Sequence, residues 1–314
     1  VKNAIGSKRM WLGNNCRVCF NVLNSLIRMN QKITDKNKKG MNKINYVLIF
    51  AFLATFMWSC TQTKDDTNGQ TPLGHLPDNA AGEVVKKAIE AHGGLKSWNN
   101  KKTLSYLKTI QHYDSAGTLS REQEQLHQYQ LRPTFKANVS WHADGNHHVI
   151  VNNGEDAWQL INGERSKRQE DNNQAWNSSF GSHFVIAMPF KLTDPGVNLT
   201  DMGTDTLPSG KVARSIKTNY DEGAGSAGGM HTWYYFFDPE TNELVANYLD
   251  YGDGYSFTDY VAFEKVNGVL FSKKRVSRAS DEEMNLAPDS SVYLNNEIKF
   301  NVELADSLFE ANLQ

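Results

Sequence analysis

Residues 230–277 read MHTWYYFFDPETNELVANYLDYGDGYSFTDYVAFEKVNGVLFSKKRVS. Alternation along a strand sends Trp233, Tyr235 and Phe237 to one face and Tyr234 and Phe236 to the other. A strand aromatic on both sides has a core against one face and partial cover on the other. It is followed by DPETN, in which Asp238 precedes a proline and Asn242 closes the loop, the chemistry of a tight turn. Residues 243–251 then form the returning strand. The pattern repeats at once: 255–266, the pair Asn267-Gly268, and 269–277, with Asn-Gly the favoured two-residue hairpin. This stretch is therefore an antiparallel meander.

Similar signals extend in both directions. Residues 103–113 meet 118–129 across DSAG, and 134–142 meet 146–152 across Asp144-Gly145. Strands at 157–161, 211–220 and 291–303 bring the count to about eleven. Ahead of them, NAAGEVVKKAIEAH (79–92) places Val84, Val85, Ala88 and Ile89 at helical spacing. Asp78 or Asn79 can cap this helix, Gly93-Gly94 can stop it, and residues 95–98 form a short turn that can pack on it. One segment breaks the strand pattern. In NQAWNSSFGSHFVIAMPFKLTDPG, Trp176, Phe180, Phe184 and Met188 recur every four residues, which predicts one or two short helices ended by Pro189. The class is α+β: a curled antiparallel sheet with an N-terminal helix and a central helical insert.

The chain holds 33 basic and 35 acidic residues, a net charge of −2, but the two are unevenly placed. Ten of the basic residues and one acidic residue (Asp35) precede Cys60; the remaining 23 and 34 give the chain from Cys60 onward a net charge of −11. Such a domain is a poor nucleic-acid binder. The three cysteines are Cys16, Cys19 and Cys60, so the sheet region has neither disulfide nor thiol nucleophile, and the CxxC pair lacks the folded context of a metal or redox motif. From Met41, a short polar start with Lys43, an apolar run over 46–58 and then Ser59-Cys60 have the layout of a secretory signal. Thirteen apolar residues are too few for a membrane span, which needs about 20.

Met57-Trp58-Ser59-Cys60 resembles a bacterial lipobox, and Lys64-Asp65-Asp66 resembles the surface-export signal of Bacteroidetes lipoproteins. The resemblance implies that Cys60 is acylated and becomes the first residue of the mature protein, with its acyl chains anchoring a soluble domain. The expected organisation is a non-native upstream extension over 1–40, a lipoprotein signal over 41–59, a tether over 60–78 and a single domain over 79–314. The triplets beginning at Asp114, Asp205 and Asp306 resemble Bacteroidetes O-glycosylation sites. In its element order, the domain resembles the half-barrel of the LolA-type lipoprotein carriers. HGGLKSW (92–98), NGEDAW (153–158), PFKLTDPG (189–196) and YYFFDPETNEL (234–244) resemble an uncharacterised family of Bacteroidetes lipoproteins. These resemblances imply an outer-membrane lipoprotein on the periplasmic or cell-surface face, and no chemistry.

The residues themselves assemble no catalytic constellation. There is no GxSxG elbow, the glycines at 223–229 do not enter a helix, and adjacent carboxylates such as Glu282-Glu283 read as solvated faces. His142 and His147 face each other across their hairpin, a pair that more often stands exposed than metal-bound. No cofactor or metal is expected. The candidate site is an apolar cavity between sheet and insert, lined by Trp158, Trp176, Phe180, Phe184, Phe190, Trp233, Tyr235 and Phe237. Pro189 and Asp194-Pro195-Gly196 suggest a hinge for that insert, or a plain connection. The expected protein is a non-enzymatic monomer. Its partners are a membrane, through Cys60, and a lipid, lipidated protein or other apolar ligand. A surface module with a solid core, binding protein or glycan, is the alternative; a hydrolase ranks below both.

Overall fold

The computed structural model describes residues 76–225 and 229–310. The upstream extension, the signal, Cys60 and most of the tether lie outside these residues. The described residues fall within one compact unit, Gly69–Gln314. Its first element is helix α1 (Ala80–Ala91), followed by α2 (Leu95–Asn99). Asn79 caps α1, its Oδ1 accepting from the Gly82 amide at 3.0 Å, and Val85, Ala88 and Ile89 form its buried stripe. Gly93 ends the helix at φ 109°. No other residue fits there, because a Cβ would stand 1.9 Å from the Gly268 carbonyl oxygen. The end of α1 thus sits directly on the Asn267-Gly268 turn, and Leu270 donates back to the His92 carbonyl at 2.9 Å.

Six strands follow: β1 (Thr103–Tyr113), β2 (Leu119–Gln130), β3 (Lys136–Ala143), β4 (Asn146–Asn152), β5 (Ala157–Ile161) and β6 (Glu164–Arg165). Helix α3 (Gln169–Ile186) and a 3-10 turn (Phe190–Thr193) come next. The second set is β7 (Val197–Thr206), β8 (Val212–Tyr220), β9 (Thr232–Phe237), β10 (Leu244–Asp250), β11 (Tyr255–Val266), β12 (Val269–Ser280) and β13 (Ser290–Phe300). The spatial order is β6-β5-β4-β3-β2-β1-β13-β12-β11-β10-β9-β8-β7. Two meanders are joined by the pairing of β1 with β13, and every pairing is antiparallel. The sheet is open, and α3 carries the chain from one edge strand, β6, to the other, β7.

The hairpin chemistry is as the sequence predicts. Asp144 and Gly145 have φ 52° and 75°, and Asn267 and Gly268 have φ 49° and 85°. Such positive angles match the right-handed twist of the flanking strands. Thirteen strands replace the expected eleven. The two that were not expected, β6 and β7, are the edges. β7 (VNLTDMGTDT) alternates half-buried with exposed residues along its whole length, and an edge strand needs no apolar face.

The sheet curls around α3. Ring-to-ring steps of 5.5 Å (Phe135–Phe180), 6.2 Å (Phe180–Phe184) and 5.7 Å (Phe184–Tyr220) connect the start of β3 to the end of β8. These strands stand eight places apart in the sheet, so a flat sheet would hold them ~38 Å apart at about 4.8 Å per place. The aromatic split of β9 also stands: Trp233, Tyr235 and Phe237 join the main core under the helices, while Phe236 joins a smaller outer cluster with Tyr248 and Phe257.

α3 is a single helix, one of the two expected arrangements, but at 18 residues it is not short; it runs through Gly181, and its buried face is Ala175, Ser179, His183, Phe184 and Ile186. A spacing of four advances each side chain about 40° beyond a full turn. The stripe from Trp176 to Met188 therefore winds from solvent into the core: Trp176 is 40% exposed, Phe184 is fully buried and Met188 is 5% exposed.

Candidate functional site

The eight aromatic residues expected to line a cavity do not act together. Phe184, Phe190, Trp233, Tyr235 and Phe237 are buried in one packed cluster, with Phe180 half-buried against it. Trp233 and Tyr235 stack in parallel with centroids 5.7 Å apart, and Phe190 stacks on Trp98. Trp158 lies elsewhere. Its neighbours on β5, Ala157 and Gln159, take the inner side, so Trp158 joins Val151 and Leu160 in an outer cluster, and Arg165 lies 5.5 Å from its ring. Trp176 faces solvent. The segment after α3 is anchored: Phe190 and Leu192 are buried, and Lys191 pairs with Asp194. This favours the connection over the hinge.

The open space lies farther along the same inner face. A cavity of about 820 Å³ opens between one side of α3 and strands β9 to β13 together with the neighbouring β1. A second, of about 460 Å³, lies between α3 and β1 to β5. They share Lys108, His112, Ser178, Ser182 and Tyr293, so they adjoin along α3 and together make up one groove of two parts. Small residues on α3 leave the room. A Cβ added at Gly181 would meet nothing within 4 Å.

The inner face is therefore divided along its strands. Near α1 and α2 it is apolar, with Leu104, Tyr106, Phe271, Ile298 and Phe300. Toward the groove it turns polar. Lys108 follows Leu104 and Tyr106 in the same phase of β1, and Arg275 lies on β12, two strands away. Both approach the ring of Tyr293 on the intervening β13, with Lys108 Nζ 5.2 Å and Arg275 Cζ 5.3 Å from its centroid. Thr258 donates to or accepts from Ser277 at 3.0 Å, and His112 Nδ1 lies 2.9 Å from the Ser291 hydroxyl. Trp233, Leu249, Val185 and Tyr293 supply apolar surface to the larger cavity. Burial, with a smaller contribution from Arg275, pushes the Lys108 ammonium down to about 7. Beneath the groove, His127 stacks on Tyr106 at 4.8 Å. It is held well below the usual histidine range, first by burial and then by the two cations.

Sequence reasoning missed Lys108 and Arg275. The signal for Lys108 was present in TLSYLKTIQHY: a lysine in the buried phase of an alternating strand. Arg275 was hidden in the basic run Lys273-Lys274-Arg275, on a strand whose pairing with β11 shifts register twice. His142 and His147 do pair across their hairpin, with rings stacked at 4.7 Å. Among the described residues, no group of three or more His, Cys, Asp or Glu side chains is placed to hold a metal.

The chain belongs to a family of unknown function (DUF6503), whose model matches residues 79–303. No curated protein matches the sequence. Among solved structures, it is similar to a DUF1329-family protein of Desulfovibrio piger, at 11% identity and TM-score 0.46, over 73% of this chain and 97% of that one. A LolA-superfamily protein of Nitrosomonas europaea gives the same values. A putative outer-membrane lipoprotein-sorting protein domain of Vibrio parahaemolyticus is similar at 7% identity and TM-score 0.46, over 74% of this chain and 96% of that one.

Proposed function

We propose that this member of the family is a non-catalytic envelope protein, held at the outer membrane through acylated Cys60, that binds an amphipathic lipid or a lipidated protein between α3 and the sheet. The observation that carries the reading is the groove on the inner face, made of two adjoining cavities of about 820 and 460 Å³. Spaces of this size suit a ligand of a few tens of atoms. Its walls set Trp233, Leu249 and Val185 beside hydroxyls and cations, which matches a molecule with one apolar and one polar part. Burial of the apolar part supplies the affinity, at roughly 25 cal/mol per Å² before the costs of ordering.

The test is titration of the chain with a long-chain fatty acid carrying a fluorophore, in parent and Gly181→Phe. The parent should bind saturably. The variant, with a phenyl ring in the groove, should not, while its circular dichroism stays unchanged. Equal binding by both would place the ligand elsewhere. The anchor is tested separately: fatty-acid labelling in cells should be lost in Cys60→Ala.

A second reading, a surface module for protein or glycan, is favoured by the outer face. There Tyr255 stacks on Tyr248 at 5.5 Å and Tyr234 is tilted against Tyr248 at 5.6 Å, beside Asp250 and Glu282. That reading expects no saturable binding of the fatty acid by the parent.

A further inference from the structure

Lys108 and Arg275 are 8% and 4% exposed. Among the described residues neither forms an ion pair, and the Nε of Arg275 has no hydrogen-bond partner. Four other arginines are treated differently. Arg165, Arg168, Arg214 and Arg278 each pair with a carboxylate. A buried cation without a counter-charge is unfavourable, and two of them near one tyrosine ring are more so. Their partial relief comes from aromatic faces, that of Tyr293 for both and that of Tyr260, whose centroid lies 5.8 Å from Arg275 Cζ.

The groove opens onto both: each lines the larger cavity, and Lys108 also lines the smaller. The carboxylates nearby do not neutralise them. Asp114 and Asp289 are exposed, and Asp171 is occupied by the Ser166 hydroxyl and by Arg168. The floor of the groove is thus a desolvated positive site facing open space. A guanidinium fork and an ammonium are the donors that hold carboxylate and phosphate oxygens, and such bonds strengthen where water is excluded.

We propose that Lys108 and Arg275 are the receptor for an anionic group of the ligand, a carboxylate or a phosphate monoester, whose apolar part lies along the groove. This rests on the reading of the groove as the ligand site. The anion supplies the missing counter-charge, so its arrival restores the ammonium form of Lys108, which burial disfavours in the free protein.

The test compares a fluorescent long-chain fatty acid with its methyl ester on the full chain. The parent should hold the acid about tenfold or more tighter than the ester. Lys108→Gln and Arg275→Gln should each bring the two within roughly twofold, with ester affinity kept, since only the charged contact is removed. Equal affinity of the parent for acid and ester overturns the anion receptor and leaves the groove reading intact. Binding of neither probe overturns both. An acid preference that survives both substitutions overturns the assignment to this pair. The parent comparison needs no variant, so it decides even where a substitution prevents folding. Competition by the unlabelled acid and by an alkyl phosphate of equal chain length identifies the head group; displacement by neither overturns the proposal.

Discussion

Phe190 lies flat against Trp98, with ring centroids 4.9 Å apart and planes 4° from parallel. This contact joins α2 to the 3-10 turn that follows α3, so the helices at the two ends of the inner layer share one stack. Both rings are nearly fully buried. Phe190→Ala should destabilise the chain by about 3–5 kcal/mol, the usual cost of emptying a large buried aromatic site. Urea denaturation measures it. A loss below about 1 kcal/mol would mean that the site refills by collapse.

Gly181 lies inside α3 with open space where its Cβ would be. Gly181→Ala should therefore stabilise the helix by about 0.5–1 kcal/mol. In a domain of this size that raises Tm by ~1–4 °C. An unchanged or lower Tm would show that the groove side of α3 is more closely covered than the structure has it.

Three buried histidines set the acid limit. Burial pushes His92 down to about 4, and holds His127 and His183 well below the ordinary value. Their folded values lie below their unfolded ones, so between the two the unfolded chain binds more protons and stability rises with pH. Stability should therefore fall as pH drops below about 6.5, by about 1.4 kcal/mol per pH unit for each fully shifted histidine. Urea midpoints across that range provide the check. His92→Gln, whose amide can still donate to the Ala88 carbonyl that His92 reaches at 2.8 Å, should flatten the slope down to about pH 4.

Lys108 carries the same sign into the alkaline range. Its folded value, about 7, lies below the ordinary 10.5, so the folded chain is penalised at and below neutral pH and gains stability as pH rises toward 10.5. Lys108→Met replaces an unpaired buried charge with apolar volume. It should stabilise the chain by ~1–4 kcal/mol at neutral pH and remove the alkaline slope. A destabilised Lys108→Met would mean that the ammonium has a partner in the free protein.

Much of the fold was legible because it is local. Asn79 caps α1, Asp144-Gly145 and Asn267-Gly268 turn their hairpins, and Asp238 accepts from the amides of Glu240 and Thr241 at 2.9 Å each. Each of these is decided within a few residues. β7 was not legible, since a strand with one unpaired edge carries no apolar run to betray it. Trp158 was misplaced for a related reason. Alternation fixes which residues of β5 share a face, but not which face the helices cover.

From the sequence alone came the α+β class, the antiparallel meander, the leading helix and the aromatic split of β9, because period, turn chemistry and capping act over short range. The pairing of β1 with β13, the curl around α3 and the position of the groove came only from tertiary structure. They depend on contacts between residues as far apart as Lys108 and Arg275, which share a site because both strands flank β13 and because the small side chains of α3 leave that part of the sheet uncovered.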